Sequence, residues 1–317
     1  MKVLANDGLA QNAVELLEQS GHTVITNNVP QEALIEYINN EAVEVLLVRS
    51  ATKVRTDLID ACSGLKMIGR GGVGMDNIDV DYARSKGINV FNTPASSSQA
   101  VAEVVMAQLY TMARGLYDAN RQMPSNGKAE FKVLKKKYGK GIELRGKTLG
   151  IVGFGRIGQY LAKYALGNGM SVVAHDLHDI TAEIPIEING KLVHTEKIQS
   201  TSLNEVITNA DFISIHVPKQ SDGSAVIGAV ELASMKDGVY LVNTARGGSI
   251  DESALIEALD SGKVAAAALD VFENEPSPDT RLLGHPKLSL SPHVGAATKE
   301  AQARIGLEIV DIINSAS

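Results

Sequence analysis

Short apolar runs alternate with helically spaced stretches along most of the chain. The runs of the first part are Lys2 to Ala5, Val24-Ile25, Val45 to Val48, Lys66 to Ile68 and Ile88 to Phe91. Between them, Leu9 to Gln19 places Val14 and Leu17, and Gln31 to Ile38 places Leu34, Ile35 and Ile38, at the spacing of one helical face. Strands alternating with helices of about ten residues predict a parallel sheet covered on both faces. A second alternation begins at Lys147 with Leu149 to Val152, Ser171 to Ala174, Phe212 to Ile215, Val239 to Val242, Ala265 to Val271 and Leu288 to Leu290. It predicts a second doubly wound unit, so the fold class is α/β with two such domains.

Between the two alternations, the serine cluster Ser96 to Ser98 precedes a helix whose apolar residues (Val101, Val104, Val105, Met106, Leu109, Met112) wrap nearly all round it. Such a helix must be covered on more than one side, by a neighbouring domain or by a second copy of the chain. From Lys128 to Lys147 runs a series of lysines and arginines, most simply a solvated face. A terminal helix is expected over Ile305 to Ile313.

Composition narrows the function. A chain of 317 residues exceeds the roughly 250 at which single cores stop growing, which again predicts two domains. A net charge of −7, no Trp and 4% aromatics supply neither the field nor the stacking surface of a nucleic-acid binder. The single cysteine, Cys62, forbids an internal disulfide and a cysteine-ligated zinc site. Asn6 and Asp7 interrupt the start of the chain, so no export signal is expected, and a cytoplasmic location is. Glycine, at 29 residues, is the excess that asks for an explanation.

Part of it lies in Gly153-Phe154-Gly155-Arg156-Ile157-Gly158, which follows the run ending at Val152 and opens a helical stretch. In that context the first glycine allows the tight turn, the second admits a pyrophosphate to the backbone, and the third lets helix and strand pack closely. Asp176 lies at the end of the next predicted strand, where a carboxylate can accept from a ribose diol and repel a 2′-phosphate. The cofactor expected is therefore NAD. His175 and His178 flank Asp176 without a third residue at ligand spacing, and both read as loop residues rather than metal ligands.

Ligands of open parallel sheets bind beyond the carboxyl ends of the strands, and the polar residues of this chain collect there. Arg49 and Ser50 follow Val45 to Val48, Arg70 follows Lys66 to Ile68, Thr244 to Arg246 follow Val239 to Val242, Asp270 and Glu275 follow Ala265 to Leu269, and His293 follows Leu288 to Leu290. The set suits hydride transfer from a hydroxy acid. An arginine can hold a carboxylate through two parallel hydrogen bonds. A histidine can take the alcohol proton, and a neighbouring carboxylate can orient its ring.

These residues resemble the D-isomer-specific 2-hydroxyacid dehydrogenases. The resemblance covers essentially the whole chain and rests on Val48 to Val54, Gly153 to Gly158, Asn243 to Gly248, Ala268 to Pro276 and Ser291 to Ala296. It implies a flavodoxin-like substrate-binding domain built from residues 1–95 and 296–317, with a Rossmann-type NAD domain, 96–295, inserted into it. It implies Arg246, Glu275 and His293 as the catalytic set. Cofactor contacts would fall at Val73, Gly153, Gly155, Arg156, Ile157, Gly158, Asp176, Val217, Pro218, Thr244, Ala245, Arg246, Asp270, His293, Gly295 and Ala296. Substrate contacts would fall at Arg49, Ser50, Arg70 and Arg246. Formate dehydrogenases of the superfamily carry Gln at the place of Glu275, so Glu speaks for a hydroxy-acid enzyme. The regulatory carboxyl-terminal module of some relatives is not present in this sequence, and serine feedback is not expected.

One arginine suffices for the substrate carboxylate, which leaves Arg49 and Arg70 for a second anion and makes a phosphorylated hydroxy acid the expected substrate. The partner expected is a second copy through the helix around 97–115, giving a homodimer, with no nucleic acid, membrane or metal. The alternatives are a reductase of a 2-keto acid such as hydroxypyruvate or glyoxylate, using the same three residues, and a nucleotide-sensing scaffold akin to the co-repressors that keep this fold.

Overall fold

The structure, a computed structural model, describes residues 1–220 and 222–316. The chain divides into two compact units, Met1–Ala100 with Ala296–Ser317, and Val101–Gly295. The first holds strands β1 (Lys2–Ala5), β2 (Thr23–Ile25), β3 (Val45–Val48), β4 (Met67–Arg70) and β5 (Asn89–Asn92). They form one parallel sheet in the order β2-β1-β3-β4-β5, the doubly wound order of flavodoxin-like domains. All four residues of β3 are buried, as a central strand with both faces covered requires. On one face Leu4, Leu46 and Ile68 meet Leu34, Ile38 and Leu58 of the connecting helices. On the other, Val3, Val45 and Met67 meet Leu17 and the terminal helix Lys299–Ser315 through Ile305, Ile309 and Ile313. Thr298 caps that helix by accepting from the Ala301 N–H.

The second unit carries β6 (Thr148–Val152), β7 (Ser171–His175), β8 (Thr181–Ile188), β9 (Lys191–Thr201), β10 (Phe212–Ile215), β11 (Val239–Asn243), β12 (Val264–Leu269) and β13 (Leu288–Leu290). Their order is β13-β12-β11-β10-β6-β7-β9-β8, parallel throughout except for β8. One face of the sheet packs on the helices Ser98–Ala113 and Arg156–Gly167 through Val105, Leu109, Leu161 and Ala165. The other packs on helices 203–209, 229–234 and 252–261 through Ile207, Leu232, Leu255 and Leu259. The strand order reverses direction at β6 and β10, and this places the glycine turn after β6 beside the ends of β10 and β11.

Three local findings depart from the sequence reading. Residues 181–201, to which the reading assigns no element, form an antiparallel hairpin in which β8 and β9 meet at Asn189 and Gly190, both left-handed (φ 52° and 71°). His175 ends β7 rather than sitting in a loop, its ring Nδ1 paired with the Thr201 carbonyl at 2.8 Å. The serines before the helix at 98–113 do not act as its cap: Ser96 bonds Glu308, Ser98 donates to the Pro94 carbonyl, and the Ser97 hydroxyl is buried without a partner. No helix among the described residues is long and apolar enough to cross a membrane.

Candidate active site

The turn after β6 gives each glycine of the fingerprint a distinct physical reason. Gly153 has φ 98°, and a Cβ there would lie 2.6 Å from the His216 carbonyl oxygen. At Gly158 a Cβ would lie 2.5 Å from the Gly153 carbonyl oxygen, so the helix could not approach the strand. Gly155 meets nothing within 4 Å. It is exposed at the N-terminus of the helix Arg156–Gly167, where backbone N–H groups attract an anion. Two of the three glycines thus serve the fold, and the third lines open space of the kind a pyrophosphate needs. Arg156 is exposed beside it and Ile157 is half-buried. Asp176, just past β7, accepts from the Phe154 N–H at 2.8 Å and from the His178 N–H at 3.2 Å, which ties it directly to the glycine turn.

Along the sheet, β10 and β11 run in register, with Ile215 opposite Asn243, so His216 and Thr244 stand side by side past the strand ends. The Thr244 hydroxyl and the His216 Nδ1 are both buried without a partner. Buried polar atoms normally pair, so these two open neighbours past the strand ends are candidates for a ligand contact. His216 pairs through Nε2 with the Ser214 hydroxyl at 2.9 Å, and burial pushes its pKa down to about 3, so the ring is neutral at working pH. The sequence reading takes Val217 and Pro218 as contacts and passes over His216 beside them. Val217 packs against the Gly153 turn, while Pro218 is exposed.

The turn after β11 is held by the buried Asn243, which accepts from the Ala245 N–H and donates to the Arg246 carbonyl. It presents Arg246 half-buried, with Nη1 donating to the Ala245 carbonyl at 2.6 Å. Gly247 is indispensable to that placement: a Cβ there would lie 1.8 Å from the Phe272 carbonyl oxygen. The loop after β12 therefore runs against the Arg246 turn. It is braced by Glu252, whose carboxylate accepts from the Glu273 N–H at 2.7 Å and whose pKa burial raises.

Glu275 and His293 meet here. Glu275 accepts from the Phe272 N–H at 3.0 Å through one oxygen and pairs with His293 Nδ1 at 2.8 Å through the other. A carboxylate can only accept, so Nδ1 carries a proton, and in the neutral ring Nε2 then presents a lone pair. His293 has φ 53°, an uncommon conformation for a residue with a side chain, and one held from outside. Asp270, 2% exposed, does the holding: its carboxylate accepts from the Ser291 hydroxyl, from Val294 N–H at 2.9 Å and from Gly295 N–H at 2.8 Å. The expected cofactor position Asp270 is thus also the brace that presents His293. An apolar hollow of about 400 Å³, walled by Phe272, Pro276, Leu283, Leu290 and Pro292, adjoins the pair.

The other expected residues lie in the first unit. Arg49, half-buried past β3, donates from Nη2 to the side-chain oxygen of Gln302, a neutral partner. Burial lowers its pKa, and Asp7, which accepts from the Arg49 N–H, opposes that shift. Arg70 ends β4 in register with Val48, so the two arginines leave neighbouring strand ends; Ser50 is exposed next to Arg49. Val73 is exposed in the glycine loop that follows Arg70, and Ala296 accepts from Gln302. Among the described residues no cluster of three or more His, Cys, Asp or Glu could hold a metal ion.

A doubly wound sheet with a dinucleotide turn, a carboxylate-oriented imidazole and an adjacent arginine defines an NAD-binding oxidoreductase. The family model of the D-isomer specific 2-hydroxyacid dehydrogenase NAD-binding domain matches residues 106–295. The chain is 43% identical over 316 residues to the hydroxypyruvate reductase of Thermotoga maritima, covering 98% of this chain and 97% of that one. It is 42% identical to the D-3-phosphoglycerate dehydrogenase of Methanocaldococcus jannaschii, covering 99% of this chain but only 57% of that longer protein. Among solved structures, a glyoxylate reductase from Paecilomyes thermophila superposes with a TM-score of 0.82 at 31% identity, covering 99% and 94% of the two chains. The protein belongs to the D-isomer-specific 2-hydroxyacid dehydrogenases, and its cofactor is NAD.

Proposed function

We propose that the protein oxidises D-3-phosphoglycerate to 3-phosphohydroxypyruvate with NAD, the entry step of serine synthesis. The observation that carries this reading is Arg49, a half-buried guanidinium whose side-chain partner is the neutral Gln302 rather than an acid. A cation so placed favours an anionic ligand. Arg49 and Arg70, with Ser50 beside them, take the substrate phosphate. Arg246 holds the carboxylate. His293 Nε2 accepts the C2 hydroxyl proton, and Glu275 accepts from Nδ1 and supports the imidazolium that results. NAD supplies the acceptor for the C2 hydride. Asp270 would face its nicotinamide end, Asp176 its ribose and the amides at Gly155 to Ile157 its pyrophosphate, with Thr244 a further contact.

His293→Ala should lower kcat by 10²- to 10⁴-fold, the usual worth of a positioned acid–base group, while the Kd for NAD changes little. An unchanged kcat would reject the assignment.

A second reading, reduction of hydroxypyruvate, uses the same residues in the opposite direction. It is favoured by the near full-length match to a hydroxypyruvate reductase. Turnover of unphosphorylated hydroxypyruvate with NADH, compared with that of its 3-phospho form, separates the two. We also place the protein in the cytoplasm as a homodimer. Leu116, Met123, Phe131 and Val133 are exposed on the helix Leu116–Tyr138, of whose residues only Gly127 and Leu134 are buried. That helix follows the one at 98–113 across Gly115 (φ 61°), and with the expected contact helix around 97–115 it would supply the surface for a second copy. Sedimentation as a monomer would remove this part.

A further inference from the structure

Between β7 and the helix Leu203–Asn209 the chain makes an antiparallel hairpin in a sheet that is otherwise parallel. The foot of that hairpin pairs with β7, with Ala174 opposite Ser200 and His175 opposite Thr201. Ser200 does more there than extend the ladder. Its backbone N–H donates to the Ile180 carbonyl at 2.8 Å, and its hydroxyl accepts from the Ile180 N–H at 2.9 Å. The same hydroxyl donates to the His178 carbonyl at 3.2 Å. His178, in turn, donates its N–H to Asp176. One hydroxyl therefore closes the bend 178–180 on both sides and, through His178, fastens the loop that carries the ribose-facing carboxylate.

We propose that Ser200 is a positioning residue for cofactor choice: by tying the loop behind Asp176 to the hairpin, it sets how strongly the protein prefers NAD to a 2′-phosphorylated dinucleotide. The inference rests on the reading of Asp176 as the ribose carboxylate. A carboxylate discriminates against a phosphate only while it is held where the phosphate would go, because Coulomb repulsion falls with distance and with solvent between the charges. The Phe154 N–H holds one oxygen of Asp176, and the His178 N–H orients the other; without the Ser200 hydroxyl that second donor is no longer fixed, and the carboxylate can turn about its remaining hold. The ribose then loses a preorganised acceptor, and the 2′-phosphate loses its repulsion. Both changes move the ratio of affinities the same way.

The test measures the Kd of the full chain for NAD and for NADP by titration, in the wild type, Ser200→Ala, Ser200→Thr and Asp176→Asn. Ser200→Ala should weaken NAD about fivefold, the worth of one ordinary hydrogen bond, and compress the NAD:NADP preference further. At saturating NAD its kcat should stay within about twofold of wild type. Ser200→Thr, which keeps the hydroxyl, should restore both affinities. A wild-type NAD:NADP ratio in Ser200→Ala, with the ratio changed in Asp176→Asn, would overturn the role of Ser200 alone. An unchanged ratio in Asp176→Asn would overturn the cofactor site on which it stands. If Ser200→Ala does not fold, Ser200→Cys, whose thiol bonds weakly, replaces it with the same expected direction.

Discussion

Two histidines past the strand ends lie in opposite surroundings. His293 is half exposed, with a carboxylate on its Nδ1 side. Glu275→Gln keeps an acceptor oxygen but removes the charge that supports an imidazolium, so kcat should fall by less than in His293→Ala, with the Kd for NAD unchanged. An equal loss would mean that Glu275 takes part in the proton transfer itself.

His216 is half-buried, with its Nδ1 closed off from solvent, and desolvation pushes its pKa down to about 3. In the unfolded chain a histidine titrates near 6.5. Between those values the unfolded state binds a proton that the native state refuses, so the native state loses stability as pH falls through this window. The slope reaches about 1.4 kcal/mol per pH unit for one full proton. Denaturant melts at pH 7 and pH 5 should show this loss in the wild type and a smaller one in His216→Gln. The same loss in both would contradict the burial argument.

At the scale of turns and strands, what the backbone must do separates glycines that a motif treats alike. Gly155→Ala meets no atom within 4 Å and has an ordinary φ of −75°, so stability should change by less than about 1 kcal/mol. NAD affinity should nevertheless drop sharply, because the methyl occupies the space beside the helix N-terminus. Gly247→Ala should do the reverse, losing several kcal/mol of stability through its collision with Phe272. Calorimetric melts and NAD titrations of the pair check both statements.

The fingerprint and the succession of strands along each alternation were legible because each rests on short-range pattern: runs, spacing and strand ends. The same pattern marked Arg246, Glu275 and His293 as candidates, and of these the structure pairs Glu275 with His293. The hairpin carried its own signal in Ala182, Ile184 and Ile186 followed by Asn189-Gly190. It was missed because Pro185 interrupts the run and a parallel unit leads one to expect a helix at that point. The His216–Thr244 row was not legible at all, since it depends on the register of β10 against β11. Nor was the bracing of His293 by Asp270, which joins residues more than twenty positions apart.

For the molecule as a whole, each of the two units has a core on both faces of its sheet. The terminal helix packs on the first sheet through Ile305, Ile309 and Ile313, so the amino-terminal unit is completed only by the last residues of the chain. Removal of residues 299–317 should therefore unfold the first unit, visible as a loss of cooperative melting, whereas truncation of an exposed tail would leave the melt intact. NAD at 100 times its Kd should raise native stability by about 2.7 kcal/mol, through binding to the folded state alone.

Substrate choice is decided by measurement: the hydroxypyruvate reductase and the phosphoglycerate dehydrogenase are 43% and 42% identical to this chain, which covers 97% of the first and 57% of the second. The deciding measurement is kcat/KM with NAD for D-3-phosphoglycerate against D-glycerate, repeated in Arg49→Gln. With Arg49 and Arg70 bound to a phosphate, the phosphorylated acid should lead by on the order of 10²-fold, and most of that lead should vanish in the variant. Equal turnover of the two acids by the wild type would contradict it.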